Sequence, residues 1–379
     1  MFLQLYAQAT WGRTALDEQE LALCRTMTDE DWQQVIDQAS RQTVVGLVTN
    51  SISRLPQDVR PDKAIYFKAI YQTMEIENAN QRMNALLPQL FELLQGKQLK
   101  AWLLKGQGVG RCYENPLLRQ AGDIDLFFPR MEDFECADRL FARKARKEDT
   151  GGQGESSYSV GGILVELHSE IVSNLNPKMK RHFKAFLKHH AEGGEEVRWE
   201  TPRGVVVMPP CHFDVLFIFI HLTRHYIGGG VGLRQVTDWM RYLYHNREQI
   251  DRRRLMEDIA HLGLGRLWKA FAAMAVDELG FPEAHMPGYE AAHAPAGRTV
   301  LACILQVGNF GHYNKDTQSE SGQLMVRKTV AFWGHLKLML RNVRLFPVEM
   351  LWSIPPYLGN GFERTFAAWK VKRASGEKN

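Results

Sequence analysis

The sequence has few cysteines and no long apolar run. Its five cysteines are odd in number, are scattered over 379 residues and form no CxxC pair. This usage argues against a disulfide framework and a structural zinc site, and it fits a reducing cytoplasm. The first residues lack the basic start and apolar centre of a signal peptide, and no stretch reaches the roughly 20 apolar residues that span a bilayer. We therefore expect a cytoplasmic protein without a transmembrane segment.

A large excess of charge of one sign is also missing. The net charge of +4 is small for this length, so it gives no argument for a nucleic-acid partner. The order Gly-Lys-Ser/Thr of a P-loop is absent, and Gly106, Gly108 and Gly110 alternate too closely for a dinucleotide fingerprint. What remains is an ordinary globular composition, with 45% hydrophobic residues and room for two or three domains.

Two carboxylates stand inside a short apolar run that extends from Gly122 to Phe128 and ends at Pro129. Its length and composition predict a buried strand. Side chains alternate along a strand, so Asp123 and Asp125 share one face. Like charges on a half-buried strand repel unless they are neutralised, and a hard divalent cation with oxygen ligands is the natural neutraliser. The pair alone does not decide between such a site and a strand end that faces water.

A glycine-rich turn lies upstream of the acidic pair. The segment from Leu99 to Leu104 predicts a short strand, which runs through Lys105-Gly106-Gln107-Gly108-Val109-Gly110 into a helix-like piece. A strand that passes through a glycine turn into a helix start makes an anion site, because free N–H groups and the positive end of the helix dipole meet there. Lys105 and Arg111 add positive charge to this turn.

This order of strand, glycine turn, helix and Asp-x-Asp strand resembles the nucleotidyltransferase superfamily that includes DNA polymerase beta. It is most similar to the bacterial branch called nucleotidyltransferase family 5, in which the turn reads Leu-Lys-Gly and an arginine precedes the Asp-x-Asp strand. The matching residues are Leu104-Lys105-Gly106, Arg119 and Gly122-Asp123-Ile124-Asp125. Two departures are a longer spacing from Gly106 to Asp123 than is usual in the wider superfamily, and Lys105-Gly106 where many relatives have Gly-Ser.

The resemblance implies a third carboxylate on a neighbouring strand. Gly161-Gly162 separates two alternating runs and predicts a β-hairpin. In the second run Leu164, Glu166 and His168 share one face, which makes Glu166 the candidate third acid. The branch ends this strand in Glu-Leu-His or Asp-Leu-His, and Glu166-Leu167-His168 matches.

The implied activity is that of a metal-dependent nucleotidyltransferase. Such an enzyme would transfer an NMP, AMP from ATP by this interpretation, to an acceptor hydroxyl and release pyrophosphate. The resemblance implies Mg2+ or Mn2+ as cofactor, held by Asp123, Asp125 and Glu166. Nucleotide phosphates would contact Lys105, Gly106, Gln107 and Arg119. The acceptor stays open among a sugar, another small molecule, a protein side chain and an RNA end.

Sequence segments predicted to be helical lie on both sides of this α+β core. We predict a helical lobe over residues 1–97, a small mixed-sheet core over 98–210 and a second helical domain over 211–379. Within the core, Met131 to Lys147 predicts one helix with a charged, solvated end. The segment from Phe332 to Trp352 fits either a core helix or a basic amphipathic helix on a membrane surface.

A helical segment after the core resembles the one that packs over the active-site cleft in the same branch. It contributes His225, Arg234 and Asp238 as candidate cleft-lining residues, and His168 joins them from the hairpin strand. His221 and His225 are four apart and share a helix face. No Glu-x-x-His context supports zinc, so a core or substrate-facing histidine is the favoured interpretation.

Two other function classes compete with the enzyme. One is a non-catalytic nucleotide-binding or antitoxin-like regulatory module that keeps the fold, and the other is a helical scaffold with an incidental Asp pair. The complete acidic triad favours the enzyme. A hairpin acid turned away from the pair, or a lysine or arginine between the acids, would favour the scaffold.

Overall fold

The computed structural model describes residues 1–13, 15–148, 154–170, 177–193, 195–228 and 230–309, together with 343, 346 and 347. These residues form a five-stranded mixed sheet, a two-stranded sheet and surrounding helices. The predicted α+β class is therefore confirmed. The predicted helix from Phe332 to Trp352 lies outside the described residues except at those last three positions, and the domain boundaries stay a prediction.

Five helices precede the main sheet. They are α1 (Phe2–Thr10), α2 (Glu18–Thr26), α3 (Asp29–Arg41), α4 (Val45–Ser53) and α5 (Lys63–Gln95). Capping boxes start α2 and α3, since Asp17 pairs with Glu20 and Thr28 with Asp31 across the first turn. Helix α5 extends from Lys63 to Gln95 and contains Pro88 in its interior.

The main sheet carries the glycine turn and the acids. Its elements in chain order are β1 (Trp102–Leu104), α6 (Gly106–Gly110), β2 (Asp123–Phe127), α7 (Met131–Ala142), β3 (Arg146–Glu148), β4 (Glu155–Val160) and β5 (Ile163–His168). The strands lie in the order β1-β2-β5-β4-β3. Strands β2 and β5 are parallel, and the other pairs are antiparallel.

The predicted hairpin is confirmed as β4 and β5. Its turn glycines, Gly161 and Gly162, have φ of +59° and +79°, a backbone that glycine adopts without a Cβ clash. The prediction of one helix from Met131 to Lys147 is wrong at its end. The charged residues Arg146 to Glu148 pair with β4 as an edge strand, because the open edge of β4 offers ladder hydrogen bonds and charged side chains suit an edge.

The remaining elements pack around this sheet. They are α8 (Pro177–Gly193), β6 (Val197–Thr201), β7 (Gly204–Met208), α9 (Cys211–Gly228), α10 (Leu233–His245), α11 (Arg252–His261), α12 (Gly265–Ala273), a π-helical turn (Met274–Glu278) and α13 (Ala294–Val307). Strands β6 and β7 pair antiparallel and form the small second sheet. Helix α9 is apolar and buried on most of its surface, as expected of a central helix. Within the described ranges, no helix combines the length and apolar character needed to cross a bilayer.

Helix α10 links the first helix to the sheet. The Tyr6 hydroxyl of α1 lies 2.7 Å from Thr237 Oγ1. Arg241 donates from Nη1 to the Thr10 carbonyl at 3.0 Å and from Nε to the Cys112 carbonyl at 2.7 Å. These buried contacts fix α10 against both the N-terminal helices and the segment that follows α6.

Gly46 provides a test of how α4 supports the site. A Cβ at this position would come within 2.8 Å of the Leu118 carbonyl oxygen, next to Arg119. We expect Gly46→Ala to lower the free energy of unfolding by about 1–3 kcal/mol, because a backbone group must move to accept the methyl group. Urea denaturation measures the loss. Gly265→Ala is the matched control, since no atom lies within 4 Å of its Cβ position. Equal effects of the two substitutions would contradict this account.

Candidate active site

A cavity of about 340 Å³ opens where β1, β2 and β5 face α9 and α10. Ten of the eleven predicted site residues line it. They are Lys105, Gly106, Arg119, Asp123, Asp125, Glu166, His168, His225, Arg234 and Asp238. The eleventh, Gln107, donates its side-chain amide to Asn80 Oδ1 at 2.8 Å and does not line the cavity.

The parallel pairing of β2 with β5 aligns the acids. Asp125 stands opposite Glu166 in the register, and Asp123 stands opposite Leu164. Because side chains alternate, Asp123, Asp125, Glu166 and His168 all project from the same face. Ligand atoms of Asp125, Glu166 and His168 lie within 4.8 Å of one another. Asp123 lines the same cavity but is not part of that group of three.

Asp125 is the most enclosed of these acids, with 5% of its side chain exposed. Its Oδ1 lies 3.0 Å from His168 Nε2, and its Oδ2 lies 3.3 Å from Lys105 Nζ. Burial raises the pKa of Asp125, but Lys105 and His168 outweigh burial and hold this pKa below its ordinary value. The carboxylate is therefore ionised, and both of its oxygens have a partner.

The pKa values of two neighbours of Asp125 are raised, whereas that of Asp125 is lowered. The Asp125 charge, with burial, raises the pKa of Asp123 to about 6. Burial lowers the pKa of His168, but hydrogen bonds to Asp125 and Glu166 outweigh it and raise this pKa to about 9. His168 Nε2 also lies 3.5 Å from Glu166 Oε2, so a protonated imidazole bridges two carboxylates.

Lys105 sits on a strained turn between β1 and α6. Its φ is +49°, and that of Gly106 is +44°. A lysine at positive φ is uncommon, and such strain of order 1–3 kcal/mol is typical of functional sites. Its Nζ reaches across the cavity, to within 5.9 Å of the Phe217 ring centroid on α9. Of the three acids Lys105 pairs only with Asp125, since no ion pair within 4.0 Å joins it to Asp123 or Glu166 in the described chain.

A buried ion pair forms the α10 wall. Arg119, with 4% of its side chain exposed, donates from Nε and Nη2 to the two oxygens of Asp238, each at 2.7 Å. The Tyr113 hydroxyl donates to Asp238 Oδ1, also at 2.7 Å. Buried Nη1 of Arg119 and Nε of Arg234 have no hydrogen-bond partner among the described residues. Both arginines line the cavity, so they place positive charge beside the acids, although these two nitrogen atoms are themselves enclosed.

Helix α9 closes the cavity opposite the sheet. Phe217, His221 and His225 are spaced four residues apart on one face, and the two imidazole centroids are 4.4 Å apart. Burial lowers the pKa of His225 to about 3 and that of His221 well below its ordinary value, so both are neutral. Both line the cavity, and the choice between core and substrate-facing histidines stays a prediction.

Several features of the site escape sequence reasoning. Glu155, Glu170 and Arg224 also line the cavity, and no motif marks them. The helix after the glycine turn is only five residues long, so it supplies less of a helix dipole than expected. Lys105 contacts Asp125, and a lysine among the acids is one of the two features that would favour the scaffold interpretation. The hairpin acid, however, is turned toward the pair, as the enzyme requires.

The site thus combines an acid cluster on adjacent parallel strands with a turn lysine and buried arginines in one cavity. The chain belongs to the family described as uncharacterised nucleotidyltransferase, whose model matches residues 28–280. The match covers more than half of the sequence, contains every predicted site residue and confirms the resemblance noted from the motifs. Neither the curated proteins nor the solved structures contain a match to this chain.

The raised pKa of His168 predicts a pH dependence of stability. Protonated His168 stabilises the folded state fully below its unfolded pKa of about 6.5, and this stabilisation is lost as pH rises through about 9. In EDTA, the melting temperature of the wild type should exceed that of His168→Gln at pH 6, and the gap should narrow by pH 9.5. His182→Gln, on the exposed side of α8, is the control. A gap that stays constant from pH 6 to 9.5 would refute the account.

Removal of Asp238 should strongly destabilise the fold. Asp238→Ala leaves the Arg119 guanidinium buried without its counter-charge and Tyr113 without its acceptor. Breaking one partner of a buried pair costs about 3–5 kcal/mol, which urea denaturation can measure. Glu257→Ala, which removes the exposed partner of Arg253, is the control and should leave stability unchanged within error. A loss below about 1 kcal/mol for Asp238→Ala would show that the pair contributes little.

Proposed function

We propose that this chain is a metal-dependent nucleotidyltransferase that transfers an NMP from an NTP to an acceptor hydroxyl. Membership of the family supports nucleotidyl transfer in general. The observation that carries the metal-dependent form is the convergence of Asp125, Glu166 and His168 next to Asp123 in one cavity. ATP as the donor, and hence AMP as the transferred group, is the expectation that the resemblance supplies.

The donor set fits a divalent cation. Asp123, Asp125 and Glu166 offer carboxylate oxygens, which Mg2+ prefers, and His168 would offer a nitrogen that Mn2+ also accepts once it has lost its proton. The raised pKa of Asp123 reflects uncompensated negative charge, which a cation would relieve. When bound, a divalent cation would neutralise triphosphate charge and stabilise the attacking and leaving oxygens.

The residues of the chain take distinct roles in this proposal. Glu166 would accept the proton of the acceptor hydroxyl. Its side chain is slightly more exposed than that of His168, the other polar residue on this face of β5. The hydroxyl oxygen would then form a bond to the α-phosphorus, while the bond to the β-phosphate oxygen breaks and pyrophosphate leaves. Lys105, with the positive charge of Arg119 and Arg234 on the same cavity wall, would hold the phosphates and stabilise the charge on the leaving group.

The neutral histidines of α9 would contact uncharged polar groups of a substrate. A neutral imidazole offers one donor and one acceptor, which suits hydroxyl or base-edge hydrogen bonds. His221 and His225 therefore fit the part of the ligand that lies away from the phosphates.

Asp123→Asn tests the proposal by separating stability from activity. The amide removes the repulsion that raises the pKa of Asp123, so the metal-free variant should melt at a higher temperature than the wild type at pH 7.5. The same change removes a proposed metal ligand. We expect nucleotidyl transfer to fall by more than the about 10–100-fold that loss of an outer-shell partner of a metal site causes.

Transfer is followed with each α-labelled NTP in Mg2+ or Mn2+, using a fractionated cell extract as the acceptor source. Label in protein, RNA or small-molecule fractions, together with pyrophosphate release, would support the enzyme and reveal the acceptor class. Asp37→Asn, an exposed acid on α3, is the control. Nucleotide binding without transfer would instead favour the non-catalytic module, and equal transfer by Asp123→Asn would remove Asp123 from the metal site.

A further inference from the structure

The cation position of the acid cluster is already taken by a side chain. Asp125 uses Oδ2 for Lys105 Nζ at 3.3 Å and Oδ1 for His168 Nε2 at 3.0 Å. Each carboxylate oxygen has a second lone pair, but a metal ion bound to Oδ2 would lie close to the Lys105 ammonium, so the two cations compete for this oxygen. Asp125 is buried, so water screens the repulsion between the two cations only weakly.

We infer that Lys105 holds the place of the cation on Asp125 and gives it up only when a triphosphate arrives, so that the ligand of this site is a metal–triphosphate complex rather than the free ion. This inference rests on the proposed function and specifies its substrate. It also explains why a lysine among the acids is compatible with a metal-dependent enzyme.

The charges of the cavity favour binding of the metal ion together with the triphosphate. A free divalent ion at Asp125 would displace the Lys105 ammonium but leave it in the same enclosed cavity, where the two cations repel strongly because the surroundings are poorly polarisable. A triphosphate supplies the negative charge that the displaced ammonium needs. Both the metal and Lys105 then have partners, which couples their binding.

The geometry permits this exchange without a change in fold. Lys105 lies on the cavity wall at the end of β1, and its ammonium is a compact charge on a flexible four-carbon stem. The same ammonium lies 5.9 Å from the Phe217 ring centroid, so its reach already extends from the acids of β2 toward α9. Arg119 and Arg234 line the same cavity and add positive charge that would attract the phosphates.

The described residues offer no second cluster of metal ligands to which the ion could bind instead. Within the described ranges, Asp125, Glu166 and His168 are the one group whose ligand atoms converge within 4.8 Å. The neighbouring Lys100 shows the contrasting case. Its Nζ pairs with Glu196 Oε1 at 2.9 Å, and neither residue lines the cavity or belongs to the acid cluster.

The test is equilibrium dialysis of Mn2+ against the full chain, with and without an α,β-methylene analogue of ATP. The wild type should bind Mn2+ weakly alone and about 10-fold or more tightly with the analogue. Lys105→Met should bind Mn2+ more tightly than the wild type in the absence of the analogue, and the analogue should add less. Lys100→Met, the control, should match the wild type.

Each outcome separates the inference from the function. If the wild type binds Mn2+ equally well with and without the analogue, Lys105 does not guard the site, and the inference is overturned while the proposed function stands. The same holds if folded Lys105→Met gains no Mn2+ affinity. If no Mn2+ binds even with the analogue present, the metal-dependent function fails, and the inference fails with it. The wild-type comparison needs no variant, so a misfolded Lys105→Met leaves the test intact.

Discussion

The parallel pairing of β2 with β5 is the constraint on which the site depends. It is the one parallel contact among the described strands of the main sheet, and it sets Asp125 directly beside Glu166. A slip of one residue would turn the whole acidic face of β5 into the core and leave Asp125 beside an apolar side chain. Such a slip would also move the apolar residues of the other face out of the core, so burial fixes the register. These residues are Ile163, Val165 and Leu167.

The acids are tolerated because the charges around them are arranged in pairs. Lys105 and His168 compensate Asp125, while Arg119 and Asp238 compensate each other on the α10 wall. Asp123 is the acid that is left under strain, as its raised pKa reveals. The site therefore holds one carboxylate whose charge is not compensated beside several that are.

Much of this arrangement could be predicted from local sequence. Alternation placed Asp123 with Asp125 and Glu166 with His168, and two glycines marked the hairpin between β4 and β5. Local pattern could not show that β2 and β5 pair in parallel, since that pairing joins segments separated by a helix and two strands, and only the resemblance implied that the strands are neighbours. It also missed β3, because Arg146 to Glu148 carries no apolar alternation and becomes a strand only through the edge of β4. The Lys105–Asp125 contact depends on a positive φ that a lysine does not announce.

Helix α10 gives the fold a further property. Arg234 and Asp238 face the cavity from this helix, while Thr237 and Arg241 on it bind α1 through Tyr6 and Thr10. Buried hydrogen bonds thus join the first helix of the chain to the helix that carries two cavity-lining residues, although α1 is remote from the acids in numbering. A displacement of α1 would therefore be passed to the cavity wall through α10, without a change in any residue of the motif.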